Sequence, residues 1–231
     1  MLANPTRPTL SQTATPPPPP RAPAGPHARP NTRAVNLIVI HCSATASGKP
    51  LTQGTPGTPG YKHAAQIIDN WHQQRGFARQ AADVQAFGKS LPHIGYHYVI
   101  DLSGAVRSGR GLNEVGAHAA NFNANSVGIC LVGGAEREAK YTANQWKSLA
   151  EVVAMLLADY SLPAAPPKRG ATPNSALANG VCGHRDLSPD LNGDGTIKPN
   201  EWLKTCPGFD VAAWMANGMQ PSPEQVCEVK T

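Results

Sequence analysis

Short uncharged segments that alternate with amphipathic ones most strongly constrain the fold of this chain. Residues 35–42 are short, apolar and rich in β-branched side chains, which is typical of a buried strand, and residues 126–132 repeat the pattern. A turn signal at 101–104 separates two further strand-like runs and predicts a hairpin. Apolar side chains at helical spacing cover residues 61–75 and 142–160. The alternation predicts an α/β fold with a mixed β-sheet.

The first 34 residues differ in composition from the rest of the chain. They contain ten of the 23 prolines and four arginines, with no aspartate or glutamate. Such a segment cannot bury enough apolar surface to offset the entropy of ordering it, so we predict a disordered, basic, Pro-rich tail over residues 1–34. A solvated linker is one interpretation of this tail, and weak attraction to an anionic cell envelope is the other.

The remainder of the chain is nearly neutral, with 16 basic and 15 acidic residues, which argues against a nucleic-acid groove. No early segment has the apolar core of a signal peptide, and no run approaches the ~20 apolar residues that span a bilayer. We therefore expect synthesis in the cytoplasm without a signal peptide, and any export by another route. The cysteines are odd in number, which does not indicate a disulfide framework. Cys42 and Cys130 lie in apolar runs and are predicted to be buried thiols. The sequence does not decide whether Cys182 and Cys227 form a bridge.

Two histidines and one cysteine on separate segments form a candidate metal site. His41 ends the first strand-like run, His184 follows a glycine at 183, and Cys206 precedes a proline. A catalytic zinc typically takes three protein ligands and keeps a fourth position for water, which this set suits. A buried strand histidine is the simpler interpretation of His41 taken alone. Cys182 competes with Cys206, because Cys182 would share a face with His184 on an extended strand.

A series of motifs surrounds these residues in a fixed order. They are residues 40–45, Trp71-His72 with Gly76, 95–98, 115–119, 125–134, 183–184 and 204–207. Together they resemble the type 2 N-acetylmuramoyl-L-alanine amidases, the group that includes phage amidase lysozymes and peptidoglycan recognition proteins. The resemblance implies a single α/β zinc amidase domain, with a central mixed β-sheet flanked by helices, over residues 35–217, followed by a C-terminal extension over 218–231.

The resemblance also implies roles for individual side chains. It implies a zinc held by His41, His184 and Cys206, with catalytic partners at Tyr96 and Lys204. The Tyr96 hydroxyl would hydrogen-bond the tetrahedral intermediate, and the Lys204 ammonium would face the carbonyl oxygen as charge develops. The simpler interpretations are a packed strand aromatic and a solvated surface lysine.

Other histidines and two longer connections complete the expected site. We assign His118 to the substrate groove, with a satisfied structural histidine as the alternative, and we expect a structural role for His97. Residues 77–92 have no clear period and look like an insertion before Tyr96. Residues 187–203 also lengthen a connection that is much shorter in compact phage enzymes. Neither segment carries a proposed zinc ligand.

The second insertion, at about 187–203, contains a calcium-loop pattern. Residues 190–201 satisfy every position of D-x-[DN]-x-[DN]-G-x5-E. Oxygen ligands for Ca²⁺ would come from Asp190, Asn192, Asp194, the Thr196 carbonyl and a bidentate Glu201. Lys198 stands at the ninth loop position, which often holds a water-bridging oxygen, and is therefore unhelpful. An ordinary polar surface loop is the alternative.

These observations predict a zinc-dependent hydrolase of the amide between N-acetylmuramic acid and L-alanine in bacterial peptidoglycan. A phage endolysin or a delivered antibacterial effector, acting on the cell wall, would fit; we expect a monomer. The alternative is a non-catalytic peptidoglycan-binding module. Such a module needs none of the ligand and catalytic set, and non-catalytic recognition proteins tend to lose the cysteine. Cytoplasmic wall-recycling amidases tend to carry an aspartate where this chain has Cys206, so the cysteine favours the lytic members.

Overall fold

The computed structural model describes residues 33–167, 179–195 and 197–230, with a five-stranded β-sheet at its centre. In chain order the strands are β1 (Leu37–Cys42), β2 (Tyr98–Ile100), β3 (Val106–Ser108), β4 (Ser126–Leu131) and β5 (Gly180–Gly183). Their order across the sheet is β3-β2-β4-β1-β5. β1 pairs in parallel with β4 and β5, and β2 pairs in parallel with β4, whereas β3 is antiparallel to β2. The predicted mixed sheet and hairpin are therefore confirmed.

Helices flank this sheet, as the sequence predicts. In the described residues the α-helices are α1 (Ala64–Gln74), α2 (Ala81–Ala86), α3 (Ala143–Tyr160) and α4 (Val211–Ala216). α3 begins with a capping box: Thr142 Oγ1 accepts from the Gln145 N–H at 3.1 Å, and Gln145 Oε1 accepts from the Thr142 N–H at 3.0 Å. α2 lies in the segment 77–92, for which the sequence indicates no regular element.

The main core lies between one face of the sheet and α3. Ile38 and Ile40 of β1 and Ile129 of β4 pack there against the apolar face of α3, including Leu149 and Leu156. All six residues of β1 and all six of β4 are buried, because structure covers both faces of these central parallel strands. Continuous apolar runs, rather than alternating ones, are what such strands require.

The opposite face of the sheet carries a second apolar layer and ends at a polar site. Val99 and Cys130 pack there against Ile68 of α1. Because side chains alternate along a strand, Leu37 and Val39 point to this same face, and His41 is the next residue of that set. β1, β4 and β5 run in parallel, so their carboxyl ends meet at one edge of the sheet, where open α/β sheets bind ligands.

The segment before the C-terminus packs onto this core. Within the predicted extension over 218–231, the Gln225 carbonyl accepts from the Tyr141 N–H at 3.0 Å and from Trp146 Nε1 at 3.1 Å. The Lys230 N–H reaches the Gly48 carbonyl at 2.7 Å. Of the predicted tail over 1–34, only residues 33 and 34 are described, and the disorder expected for the rest lies outside the described residues.

Two further expectations concern cysteines and membrane spans. All five cysteines are free thiols, so the bridge that the sequence left open between Cys182 and Cys227 is not formed. Cys42 and Cys130 are buried, as predicted. Across the described ranges, no helix is both long and apolar enough to cross a bilayer.

Candidate metal centre

His41, His184 and Cys206 converge at the carboxyl edge of the parallel strands. One ligand atom from each lies within 4.8 Å of the other two. His41 belongs to β1, and His184 directly follows β5. The Cys206 segment is attached to the same edge by two hydrogen bonds: the Arg185 N–H donates to the Cys206 carbonyl at 2.8 Å, and the Cys42 N–H donates to Cys206 Sγ at 3.1 Å.

The donor set fits a zinc ion. Burial lowers the pKa of His41 and of His184, and the neighbouring Lys204 charge lowers the pKa of His184 further. Both imidazoles are therefore neutral, as metal ligation requires. Contact with Cys42, together with burial, raises the pKa of the Cys206 thiol, so a cation at this place is needed to hold the thiolate. Two imidazole nitrogens and one thiolate are ligands that zinc prefers.

The structure does not support the competing metal pair of Cys182 and His184. Cys182 packs in an apolar cluster with Leu37 and Val39. In the described part of the chain, the one group of three or more His, Cys, Asp or Glu side chains with converging ligand atoms contains Cys206 and not Cys182.

Tyr96 lies beside this centre, and a hydrogen bond from the preceding residue to His72 holds its backbone in place. Its ring centroid is 5.2 Å from that of His41 and 5.3 Å from that of His72. The N–H of the preceding residue, Gly95, donates to His72 Nδ1 at 2.9 Å. Burial raises the pKa of Tyr96 well above its ordinary value, and the nearby cysteine sulfurs act in the same direction. The hydroxyl therefore stays protonated at neutral pH and is a hydrogen-bond donor.

Lys204 is exposed, two residues before Cys206. The positive charge of its ammonium lowers the pKa of His184. The position is compatible with the role predicted for it.

His118 is in direct contact with a proposed ligand. Its Nδ1 lies 3.0 Å from His41 Nε2, and its own Nε2 is buried with no hydrogen-bond partner in the described residues. Glycine makes room for this ring: a Cβ at Gly128 would lie 2.6 Å from the His118 ring, and one at Gly116 would also collide with it. His97, by contrast, has both ring nitrogens engaged, by the Gly128 N–H at 3.0 Å and the Glu114 carbonyl at 3.0 Å, which agrees with a structural role.

Comparison with known proteins gives the family. Residues 31–209 match the family described as N-acetylmuramoyl-L-alanine amidase, which is well over half of the chain. The chain belongs to the type 2 N-acetylmuramoyl-L-alanine amidase family. An uncharacterized protein of Haemophilus influenzae is 49% identical over 118 residues, covering 49% of this chain and 88% of that protein. The endolysin of Enterobacteria phage T3 is 29% identical over 181 residues, covering 77% of this chain and 83% of the endolysin.

One solved structure with some similarity to this chain is also an amidase by name. The N-acetylmuramoyl-L-alanine amidase LysC from Clostridium intestinale is 23% identical, covers 77% of this chain and 79% of its own, and has a TM-score of 0.46. Membership of the amidase family makes bacterial peptidoglycan the class of substrate and amide hydrolysis the class of reaction.

The predicted calcium loop of this amidase is held by its own hydrogen bonds. Asp190 accepts from the Gly195 N–H at 2.6 Å, and Glu201, only 3% exposed, accepts from the Lys198 N–H at 2.8 Å. The Lys198 ammonium also pairs with Asp194. Asn192 lies in the same loop, while Thr196 lies outside the described residues. Among the described residues, the ligand atoms that converge are those of His41, His184 and Cys206. The calcium site therefore stays a prediction.

Three residues of the amidase site were given no role there from the sequence. His72 accepts the Gly95 N–H beside Tyr96, and it occurs in the Trp71-His72 motif, which was therefore an available signal. The Cys42 backbone contact to Cys206 Sγ and the Asn123 side chain, which accepts from the His118 N–H at 2.8 Å, have no comparable signal. Both contacts depend on tertiary placement.

Proposed function

We propose that this chain hydrolyses the amide bond between N-acetylmuramic acid and L-alanine in bacterial peptidoglycan, and that the reaction depends on zinc. The observation that carries the proposal is the convergence of His41, His184 and Cys206 within 4.8 Å in a member of the amidase family. The Tyr96 ring lies beside His41, and the Lys204 charge acts on His184, which supports the roles proposed for both residues.

The roles of the side chains follow from their protonation and position. When bound, zinc polarises a carbonyl as a Lewis acid and lowers the pKa of a water towards about 7. His41 and His184 would hold the ion as neutral imidazoles, and Cys206 would contribute the single negative charge of the ligand set. The Tyr96 hydroxyl, kept protonated by burial, donates a hydrogen bond to the developing oxyanion. The Lys204 ammonium stabilises the same negative charge.

Mass spectrometry of digested peptidoglycan tests the proposal. Purified wall material is incubated with the protein, with protein treated with a zinc chelator, and with Cys206→Ala. We expect stem peptides with a free L-alanine amino terminus, and glycan strands with intact muramic acid, in the first sample alone. Cleavage between sugars or within the peptide, or equal cleavage after chelation, would contradict the assigned bond or the zinc dependence.

The alternative is a non-catalytic peptidoglycan-binding module. It predicts that the chain sediments with wall fragments yet releases no peptide at any zinc concentration. Retention of Tyr96 and Lys204 beside a complete ligand set supports the enzyme over the module, because binding alone requires neither residue.

The place of action and the calcium loop belong to the same proposal. Because the substrate is the cell wall, we propose that the chain is made in the cytoplasm and acts on the wall after release or delivery, as an endolysin or antibacterial effector does. The pattern over residues 190–201 supports a Ca²⁺ site, as does the bond from the Gly195 N–H to Asp190 that folds the loop around its first ligand position.

A further inference from the structure

Arg33 is the last basic residue of the predicted tail, and its guanidinium is fixed on the folded domain. It donates to the backbone carbonyls of Leu112 at 3.1 and 3.3 Å, Asn123 at 3.2 Å, Ala124 at 3.2 Å and Ser126 at 2.9 Å. No carboxylate forms an ion pair with it within the ranges that the structure describes. A half-buried guanidinium that donates to several carbonyls holds together the backbone segments that carry them, and we call this contact the Arg33 clamp.

The clamped carbonyls lie on both sides of His118. Leu112 belongs to the loop that leads to His118, whereas the other three carbonyls follow His118 in the chain, the last of them on the first residue of β4. Between these segments, Asn123 Oδ1 accepts from the His118 N–H at 2.8 Å and from the Ala119 N–H at 2.9 Å. Arg33 therefore joins the two arms of the loop, and Asn123 connects the clamped arm to the His118 backbone.

His118 in turn acts on a proposed metal ligand. Its Nδ1 is 3.0 Å from His41 Nε2, so His41 Nε2–H donates when His118 Nδ1 is unprotonated. That bond leaves Nδ1 as the His41 nitrogen available to a metal. Partners of this kind fix the tautomer and ring orientation of ligating histidines, and their loss typically costs about 10- to 100-fold in metal affinity or activity.

We propose that Arg33 is a positioning residue for the metal centre: it holds the loop that places His118, and His118 orients His41. The proposal rests on the proposed zinc-dependent function. Lysine would join these carbonyls less well than Arg33, because an ammonium has three donors on a single atom whereas the guanidinium presents five in a rigid fork. The catalytic domain therefore begins functionally at Arg33, before β1.

The test compares Arg33→Ala, Arg33→Lys, His118→Ala and the double variant Arg33→Ala/His118→Ala in the full chain. The zinc dissociation constant is measured by chelator competition, next to kcat/KM on peptidoglycan and the melting temperature. Arg29→Ala is the matched control, since it removes the same charge from the tail. We expect zinc affinity to fall about tenfold in Arg33→Ala, as for an outer partner of a metal ligand, with Arg33→Lys close to it and Arg29→Ala unchanged.

Coupling between the two sites separates positioning from general stability. If Arg33 acts through His118, the double variant binds zinc no more weakly than His118→Ala alone. Parent-like zinc affinity in Arg33→Ala, or fully additive losses in the double variant, overturns the proposal. If Arg33→Ala does not fold, Arg33→Lys carries the same comparison. A parent protein that binds no zinc would instead refute the proposed function.

Discussion

Burial sets the protonation states on which the site depends. It lowers the pKa of His41, His118 and His184, so these rings are neutral and can act as ligands or hydrogen-bond acceptors. It raises the pKa of Tyr96, so that hydroxyl keeps its proton. One environment thus gives the imidazoles and the phenol the forms that they need, without any carboxylate in the converging group.

The ligand assignment predicts the effects of single substitutions. His41→Ala, His184→Ala and Cys206→Ala should lose zinc and wall lysis, since two ligands do not hold a catalytic zinc tightly. Elemental analysis of the purified variants measures the metal. Cys182→Ala is the control and should keep equimolar zinc, because Cys182 packs among apolar residues. Zinc retained in Cys206→Ala but lost in Cys182→Ala would reverse the assignment.

Tyr96 and Lys204 should affect rate and not metal content. Tyr96→Phe removes the hydroxyl and leaves the ring beside His41, while Lys204→Ala removes an exposed charge. Each should keep zinc and lose roughly tenfold to a thousandfold in kcat, the scale of losing one oxyanion partner. Steady-state kinetics on soluble peptidoglycan fragments checks this. A variant that cleaves at the parent rate removes that residue from the mechanism.

At the scale of elements, the sequence was most informative where a segment is long or buried on both faces. The runs that became β1, β4 and α3 were predicted from their own side chains. β5 was not, because Gly180–Gly183 is short and half glycine, and it exists through pairing with β1. α4 was also missed, although Asp210 accepts from the Ala213 N–H at 2.9 Å as an N-cap, a signal present in the sequence.

The proposed metal ligands were identifiable from sequence, whereas their supports were not. His41, His184 and Cys206 follow from motif and residue type. The Cys42 N–H contact to Cys206 and the Arg33 clamp join residues distant in the chain, so only the register of the sheet and the path of the loops reveal them. Local patterns carry no information about such pairs.

The buried ring of His97 lies just before β2 and accepts a hydrogen bond from Gly128 of β4. We predict that this ring makes the protein less stable in acid. Burial, then the Arg33 charge, lowers the pKa of His97 to about 3, against about 6.5 in an unfolded chain. Below pH ~6.5 the unfolded chain binds a proton that the folded chain does not. The free energy of unfolding therefore decreases as the pH is lowered, by up to about 1.4 kcal/mol per pH unit. His97→Gln can keep both hydrogen bonds and does not titrate.

Urea unfolding at several pH values between ~7 and ~4 measures this effect. The slope of the unfolding free energy against pH should be smaller in His97→Gln than in the parent protein by up to one proton. Parallel profiles would show that His97 takes up its proton in the folded state. The zinc ligands are common to both proteins and cancel in the comparison.

The loop over residues 190–201 gives a second prediction at the scale of elements. Calcium should raise the melting temperature at fixed zinc. The added free energy of unfolding should be about 2.7 kcal/mol when the calcium concentration is 100 times Kd. Asp194→Ala should abolish the shift, because it removes the oxygens of a proposed ligand. Asp159→Ala, an exposed carboxylate on α3, is the control and should keep it. An unchanged melting temperature in the parent, with no calcium by elemental analysis, would leave an ordinary surface loop.

At the scale of the whole molecule, the charge of the chain is divided unevenly. Four of its basic residues lie in the first 34 residues without any acidic residue, and the rest is nearly balanced. Arg33 is committed to backbone carbonyls of the domain, which leaves Arg7, Arg21 and Arg29 to interact with an anionic surface. The tail and the catalytic site should therefore be separable at residue 32.

Deletion of residues 1–32 should leave zinc content and the rate on purified peptidoglycan unchanged, because the cut keeps Arg33 and removes no ligand. Adsorption to intact cells should decrease, and the difference from the full chain should disappear at ~1 M salt, where the Debye length is about 3 Å. A full-length variant with glutamine at positions 7, 21 and 29 should behave like the deletion if charge is the cause. A deletion variant that cleaves purified wall more slowly would instead show that residues before Arg33 support the catalytic domain.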